Sequence, residues 1–292
     1  MIAQPMFLDK TASLTPWAQR VVCAGATEAP HSGRYSAETL NGTYLCRRCG
    51  LALFRADSQF DSGCGWPSFD VNVDGAVKER PDSDGRRIEI RCQRCDAHLG
   101  HVFDGEGFTE NNRRFCVNSV ALDFVKNAAV MDTEEAILAG GCFWGVAYYL
   151  GLVPGVLSVE AGYTGGQTLE PSYEDVCTDT TGHYEAVRVL YDVRLTTYSA
   201  VLKRFFEIHD PTQANGQGPD LGFQYRSAVF CYNEDQQREV RRQLALLTLK
   251  HYTVVTEVLQ AQIFWPAEGY HQDYYLRHKK QPYCHRPVLR FD

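Results

Sequence analysis

Ala136-Ile137-Leu138-Ala139-Gly140-Gly141-Cys142-Phe143-Trp144-Gly145 is the stretch from which the rest of the chain can be read. The apolar run at its start has the size of a short buried strand. Two glycines then permit a tight turn with close backbone approach. Beyond them Val146-Ala147-Tyr148-Tyr149-Leu150 reads as the first turns of a helix. Cys142 therefore falls at or near a helix N-terminus, where unpaired N–H groups and the helix dipole favour a thiolate. A free thiol is only a few per cent ionised at neutral pH, so this placement suits a nucleophile. Phe143 and Trp144, large aromatics in a Gly-rich turn, suit the wall of a small pocket better than a core.

Bulk properties bound the rest. The length of 292 residues predicts two domains, each able to bury its own core. A 44% hydrophobic and 22% charged composition describes a globular chain, and a net charge of -7 argues against a nucleic-acid partner. Residues 1–20 contain Asp9, Lys10 and Pro16 and no apolar core of signal-peptide length. No run approaches the ~20 apolar residues of a membrane span. A cytoplasmic location is expected. There, the 11 cysteines should be metal ligands and redox groups, not a disulfide scaffold.

Upstream, Cys46-Arg47-Arg48-Cys49 and Cys92-Gln93-Arg94-Cys95 form two Cys-x-x-Cys knuckles, each after a strand-like lead (Thr43-Tyr44-Leu45 and Ile88-Glu89-Ile90). One such pair could be a dithiol redox centre. Two matched pairs supply four thiolates, the ligand set of a closed, structural zinc site. Between them, Asp61-Ser62-Gly63-Cys64-Gly65-Trp66-Pro67 has the glycines and proline of a loop, where a cysteine can be reached by a partner thiol. After them come His98-Leu99-Gly100-His101, two histidines in one short segment, and Arg114-Phe115-Cys116-Val117-Asn118-Ser119. The arginine charge favours a Cys116 thiolate where the two point the same way. Residues 1–29 carry little signal, and Cys23 reads as an incidental thiol.

Downstream, strand and helix patterns alternate. Strands are expected at Val156–Tyr163, in the β-branched tail of Gly182–Tyr191, at Tyr225–Tyr232 and at Thr253–Leu259, and helices at Tyr198–His209 and Glu234–Lys250. That order predicts an α/β sandwich with a mixed sheet. The segment Pro211–Gln224 reads as a long loop without elements, a length that is commonly functional. Cys177 and Cys231 read as packing thiols among strand residues.

Gly141-Cys142-Phe143-Trp144-Gly145 resembles the signature of peptide methionine sulfoxide reductase A. Cys64-Gly65-Trp66-Pro67-Ser68-Phe69, His98-Leu99-Gly100-His101-Val102-Phe103 and Arg114-Phe115-Cys116-Val117-Asn118-Ser119 resemble the unrelated reductase B. The two resemblances extend from about Tyr35 to Cys284 and imply a fusion: a reductase B domain over 1–125, a linker over 126–134 and a reductase A domain over 135–292. They imply a mainly-β, zinc-containing first domain and a ferredoxin-like α/β second domain with a mixed sheet.

The resemblance further implies Cys116 as nucleophile and Cys64 as resolving thiol, with Trp66, His98, His101 and Asn118 around the substrate. Many members of that family also carry the zinc ligands Cys46, Cys49, Cys92 and Cys95. For the second domain it implies Cys142 as nucleophile, Glu185 as acid at the sulfoxide oxygen, and Tyr173 and Tyr225 as hydroxyl donors. Asp220 would support the site, and Phe143 and Trp144 would hold the substrate methyl. That family resolves its sulfenic acid with a cysteine in the C-terminal segment, and some members carry two there. This sequence has only Cys284. The implied activity is reduction of methionine sulfoxide in oxidised proteins and peptides, S epimer by the second domain and R by the first, with thioredoxin restoring the thiols. Two other classes fit parts of the pattern: a zinc-held interaction module, and a thiol peroxidase or general disulfide oxidoreductase.

Overall fold

The computed structural model describes residues 7–35 and 41–291. By contact density the chain divides into two compact units, Met1–Thr133 and Glu134–Asp292.

The first unit opens with a helix, α1 (Pro16–Ala24), in a stretch where the sequence pattern carries little signal. Its ends follow ordinary capping chemistry: the Thr15 side chain accepts from the Ala18 N–H, Pro16 occupies the first turn, and Gly25 closes it in the left-handed region. Among the described residues nine strands follow: β1 (Gly42–Cys46), β2 (Ala52–Arg55), β3 (Gln59–Phe60), β4 (Ser68–Phe69), β5 (Val77–Pro81), β6 (Ile88–Cys92), β7 (His98–Asp104), β8 (Arg113–Val117) and β9 (Leu122–Lys126). They form one three-stranded sheet, β2-β1-β9, and one six-stranded sheet, β3-β4-β8-β7-β6-β5. The pairings are antiparallel, as short strands joined by turns allow. Tyr44, Leu53, Phe54, Phe69, Ile90 and Phe115 fill the core. Phe54 stacks on Phe69 with centroids 4.4 Å apart. The unit is mainly β.

The second unit contains β10 (Thr133–Gly140), α2 (Phe143–Gly151), β11 (Val156–Thr164), α3 (Tyr173–Cys177), β12 (Tyr184–Asp192), α4 (Tyr198–Ile208), β13 (Gly216–Gln217), β14 (Asp220–Leu221), β15 (Ser227–Cys231), α5 (Glu234–Leu249), β16 (Glu257–Gln260), β17 (Trp265–Pro266) and α6 (Tyr274–His278). Its main sheet runs β16-β15-β10-β12-β11-β17. β15 and β16 pair in parallel, whereas β10–β15, β11–β12 and β11–β17 are antiparallel, so the sheet is mixed as expected. Val201, Leu202, Phe205 and Ile208 bury the apolar stripe of α4, at the helical spacing the sequence shows.

Three local readings differ from the sequence expectation. The long loop over 211–224 contains the small hairpin β13–β14. Its strands are two residues each, too short for any periodicity to register. Cys177 ends the short helix α3 and is exposed, whereas Cys231 is buried in β15. The segment read as a linker is flanked closely by order, since Lys126 closes β9 and Thr133 opens β10. Among the described residues, no helix is long and apolar enough to cross a membrane.

Candidate active sites

β10 delivers the chain to the turn that the sequence singled out. Gly141 sits at φ +92°, and a Cβ there would come 2.4 Å from the Gln217 side chain. Only glycine fits on both counts. The turn makes Cys142 the N-cap of α2, buried at 7% exposure. One residue on, the Phe143 N–H donates to Glu185 Oε2 at 3.0 Å.

Cys142, Asp220 and Cys284 bring their ligand atoms within 4.8 Å of one another, although the chain places Cys284 in the tail. A cavity of about 60 Å³ opens onto Cys142 and is lined by Phe143, Trp144, Tyr173, Glu185, Asp220 and Tyr225, the residues expected there. Tyr283 completes the wall and was not foreseen. A larger, apolar groove of about 200 Å³ lies between α2, the start of β11 and α6, and shares Trp144 with the reactive cavity. It holds no nucleophile, so size does not locate the chemistry.

Electrostatics assign states to these groups. Glu185 is fully buried, and burial, then the charge of Cys142, pushes its carboxyl well above the usual range. Burial thus favours its neutral, protonated form. Burial first, and Glu185 second for Tyr225, push the phenols of Tyr173 and Tyr225 up, so both stay neutral donors. The Cys142 thiol is held up by the neighbouring Cys284 sulfur and then by burial, while the Trp144 backbone N–H pulls the other way. The helix terminus is therefore not the only influence on this thiol.

The aromatic wall is braced from behind. Trp144 stacks on Tyr274 at 3.7 Å between centroids and donates its indole N–H to His271 Nδ1 at 3.0 Å. Glu268 accepts from the Tyr163 hydroxyl and the Tyr173 N–H. These braces come from residues 268–274, where the sequence shows only polar and aromatic residues without a motif.

In the first unit β8 carries Cys116 opposite Ser68 of β4 and opposite His101 of β7. Cys64, on the loop before β4, reaches it: the sulfurs are 3.8 Å apart. Arg114 Nη1 donates to Cys64 Sγ at 3.5 Å while Arg114 also grips the Glu106 carboxylate. Burial opposes ionisation of Cys64, but hydrogen bonds led by Ser62 and the Trp66 backbone outweigh it and lower its pKa. Burial, then the Cys64 charge, pushes Cys116 up to about 12 against the pull of Arg114. Of this reduced pair, Cys64 is the thiol that ionises more readily.

His98 Nδ1 lies 2.6 Å from Glu89 and His101 Nε2 2.7 Å from Asp82, and the two rings meet edge-on at 5.7 Å. His98 Nε2 is buried with no partner among the described residues. Burial lowers the His98 pKa, with Glu89 pulling it back. Trp66 Nε1 donates to the Glu28 carbonyl, and Asn118 accepts the Glu28 N–H and donates to the Leu99 carbonyl. Glu28 thus seats two of the expected pocket residues. It lies in the featureless N-terminal stretch, and it acts through its backbone, which no side-chain pattern reports.

Cys46 at the end of β1 and Cys92 at the end of β6 meet Cys49 and Cys95 from the turns that follow. The Cys46–Cys95 and Cys49–Cys92 sulfurs are 3.5 and 3.6 Å apart, and all four lie within 4.8 Å of one another. A tetrahedral ion with ~2.3 Å bonds to sulfur has edges of about 3.8 Å. The two closest sulfur pairs lie near that figure. Arg94 donates to Cys49 Sγ at 3.4 Å and Arg48 to the Cys95 carbonyl at 3.1 Å, cations placed against thiolate charge.

Two thiol pairs, one in each unit, fit a redox enzyme with two centres. Residues 134–291 match the family described as peptide methionine sulfoxide reductase, and residues 14–126 match the SelR domain. The peptide methionine sulfoxide reductase MsrA of Saccharolobus solfataricus is 46% identical over 158 residues, covering 52% of this chain and 86% of its own. That of Thermus thermophilus is 48% identical over 157 residues, covering 53% and 88%. The crystal structure of reduced Mxr1 from Saccharomyces cerevisiae superposes with a TM-score of 0.50 at 29% identity, over 53% of this chain and 92% of that one. This chain belongs to the peptide methionine sulfoxide reductase family, with a SelR (reductase B) domain ahead of its reductase A domain. It is an oxidoreductase that reduces methionine sulfoxide by thiol chemistry, S epimer in the second domain and R epimer in the first.

Proposed function

We propose that Cys142 and Cys116 are the two nucleophiles, and that Cys284 and Cys64 resolve them within their own domains, 135–292 and 1–125, joined through 126–134. The reading rests on one observation: each unit holds a pair of free thiols close enough to react, Cys142 with Cys284 and Cys64 with Cys116.

A sulfoxide sulfur is electrophilic, but its oxygen leaves only when protonated. In the second domain Glu185 gives its proton to that oxygen, with Tyr173 and Tyr225 donating hydrogen bonds. Phe143 and Trp144 hold the methyl group, and Asp220 supports the loop. Cys142 sulfur attacks, the S–O bond order falls, and the oxygen transfers to leave methionine and a Cys142 sulfenic acid. Cys284 displaces that oxygen as water and forms a disulfide. In the first domain Cys116 attacks, Trp66 and Asn118 frame the pocket, and His98 and His101 serve the oxygen. The unpartnered His98 Nε2 supports that role. The easier ionisation of Cys64 supports proton exchange within the pair before attack.

Cys46, Cys49, Cys92 and Cys95 would hold a zinc ion, which, when bound, locks the ends of β1 and β6 together and leaves no open position for substrate. Oxidised proteins and peptides are the substrates, thioredoxin the reductant of both disulfides, and the cytoplasm the compartment.

Assays with each pure epimer test the assignment. Cys142→Ser should abolish turnover of the S epimer alone and Cys116→Ser that of the R epimer alone. Loss of both activities in either single variant overturns two independent centres.

A further inference from the structure

The tail carries a group that the scheme above does not use. His285 is buried at 1% exposure directly beneath the Cys142 turn. Its Nε2 lies 2.7 Å from the Gly140 carbonyl, which can only accept, so Nε2 carries a hydrogen. Its Nδ1 lies 3.0 Å from Cys284 Sγ. With Nε2–H committed, the neutral ring offers Nδ1 as an acceptor, and the S–H of Cys284 is the hydrogen it accepts.

The seat is built for this ring. A Cβ on Gly145, in the first turn of α2, would stand 2.2 Å from His285 Nδ1, so the helix leaves that space to the imidazole. The tail beyond is anchored too, by the Val288 N–H to the Glu207 carbonyl and by Arg290 to the Phe206 carbonyl.

We propose that His285 is the base that takes the thiol proton of Cys284 as its sulfur attacks oxidised Cys142. This rests on Cys284 being the resolving thiol. The step balances as Cys142–S–OH plus Cys284–S–H giving Cys142–S–S–Cys284 and water. The S–S bond forms as the S–O bond breaks, and the proton passes through Nδ1 to the departing hydroxide. Cys284 sulfur is oxidised and Cys142 sulfur reduced. When a dithiol later reopens the bond, the Cys284 thiolate leaves beside the same ring.

The charged and titratable groups around His285 are Cys284 on the tail, Cys142 on the turn, Asp220 on the β13–β14 hairpin and His209 after α4. Burial lowers the His285 pKa, while the Gly140 bond and Asp220 oppose it, so the ring is neutral and able to accept across pH 6.5–8.

A single turnover of the full chain with methionine S-sulfoxide, without reductant, tests the proposal by timing methionine release and thiol loss separately. His285→Gln should release methionine at the native rate but close the disulfide roughly 100-fold more slowly, the low end for general base catalysis. Its Cys142 sulfenic acid should accumulate and be trapped by dimedone. Native-rate disulfide closure in that variant overturns the role. If the variant also loses methionine release, the native pH profile decides. Closure independent of pH from 6.5 to 8 supports an internal base, and a tenfold rise per pH unit, as for unassisted thiolate attack, overturns it. Absence of a Cys142–Cys284 disulfide in the mapped native protein instead removes the underlying assignment of Cys284.

Discussion

Glu185 Oε2 accepts the Phe143 backbone N–H at 3.0 Å, which fixes a fully buried carboxyl to the residue immediately after Cys142. Burial favours the protonated form of that carboxyl, so the same contact holds an acid beside the proposed nucleophile.

Glu185→Gln should therefore separate chemistry from stability. Methionine S-sulfoxide reduction in a single turnover should fall about 10²–10⁴-fold, with R-sulfoxide reduction unchanged. The folded pKa is raised above the unfolded value, so native stability is greatest below the unfolded pKa and is lost as pH climbs toward the folded one. The glutamine has no such loss. Its second-domain melting temperature should exceed the native one at pH 8 and approach it near pH 4.5. Equal melting temperatures at pH 8 would show that Glu185 is not held neutral.

For the resolving roles, Cys284→Ser should stop thioredoxin-driven S-sulfoxide turnover while one methionine per chain still forms. Cys64→Ser should do the same for the R epimer. Quantifying methionine in a burst assay checks both, and a sustained native rate with thioredoxin in either variant shows that another thiol resolves.

The four-cysteine cluster should bind about one zinc per chain by elemental analysis, and Cys92→Ser should lose it. A structural zinc contributes folding energy on the order of 10 kcal/mol in small domains. The variant's first domain should lose its cooperative unfolding transition and its R-sulfoxide activity, with S-sulfoxide activity retained. A metal-free native protein that melts normally would overturn the assignment.

Glu28 should matter although it faces no reacting atom. Its carboxylate accepts the Val120 N–H at 2.9 Å. Glu28→Ala strands that donor, which costs about 1–3 kcal/mol. The R-sulfoxide kcat/KM should drop with Trp66 loosened, and the S-epimer kcat/KM should not move. Denaturant titration of the first domain measures the stability cost, and epimer kinetics the change in turnover.

The sequence made some of these features legible and hid others for physical reasons. Cys142, Glu185 and Tyr225 sit in compact motifs whose turn glycines and strand patterns depend only on neighbours in the chain, so strand, turn and helix could be read directly. The two knuckles were legible because metal geometry dictates a fixed spacing. His285 was not, because its meaning lies in a bond to Gly140 at the far end of the domain. Tyr283 likewise acquires its place only by donating to Asp220 across the fold. The pull of Arg114 on Cys116 was legible, but its hydrogen bond to Cys64 was not, because tertiary packing brings that loop to it. Local pattern reports elements; long-range pairing decides which partner a side chain meets.

The 3.8 Å gap between Cys64 and Cys116 exists before any oxidant arrives. A covalent sulfur–sulfur bond is about 2.05 Å long, so closing it asks the Cys116 sulfur on β8 and the Cys64 sulfur on the loop before β4 to approach by less than about 2 Å. On the proposed pairing, the first domain passes between its open and bridged forms through a short local movement. Its tempo under load should then be governed by how fast external electrons are delivered, not by any rearrangement of its own.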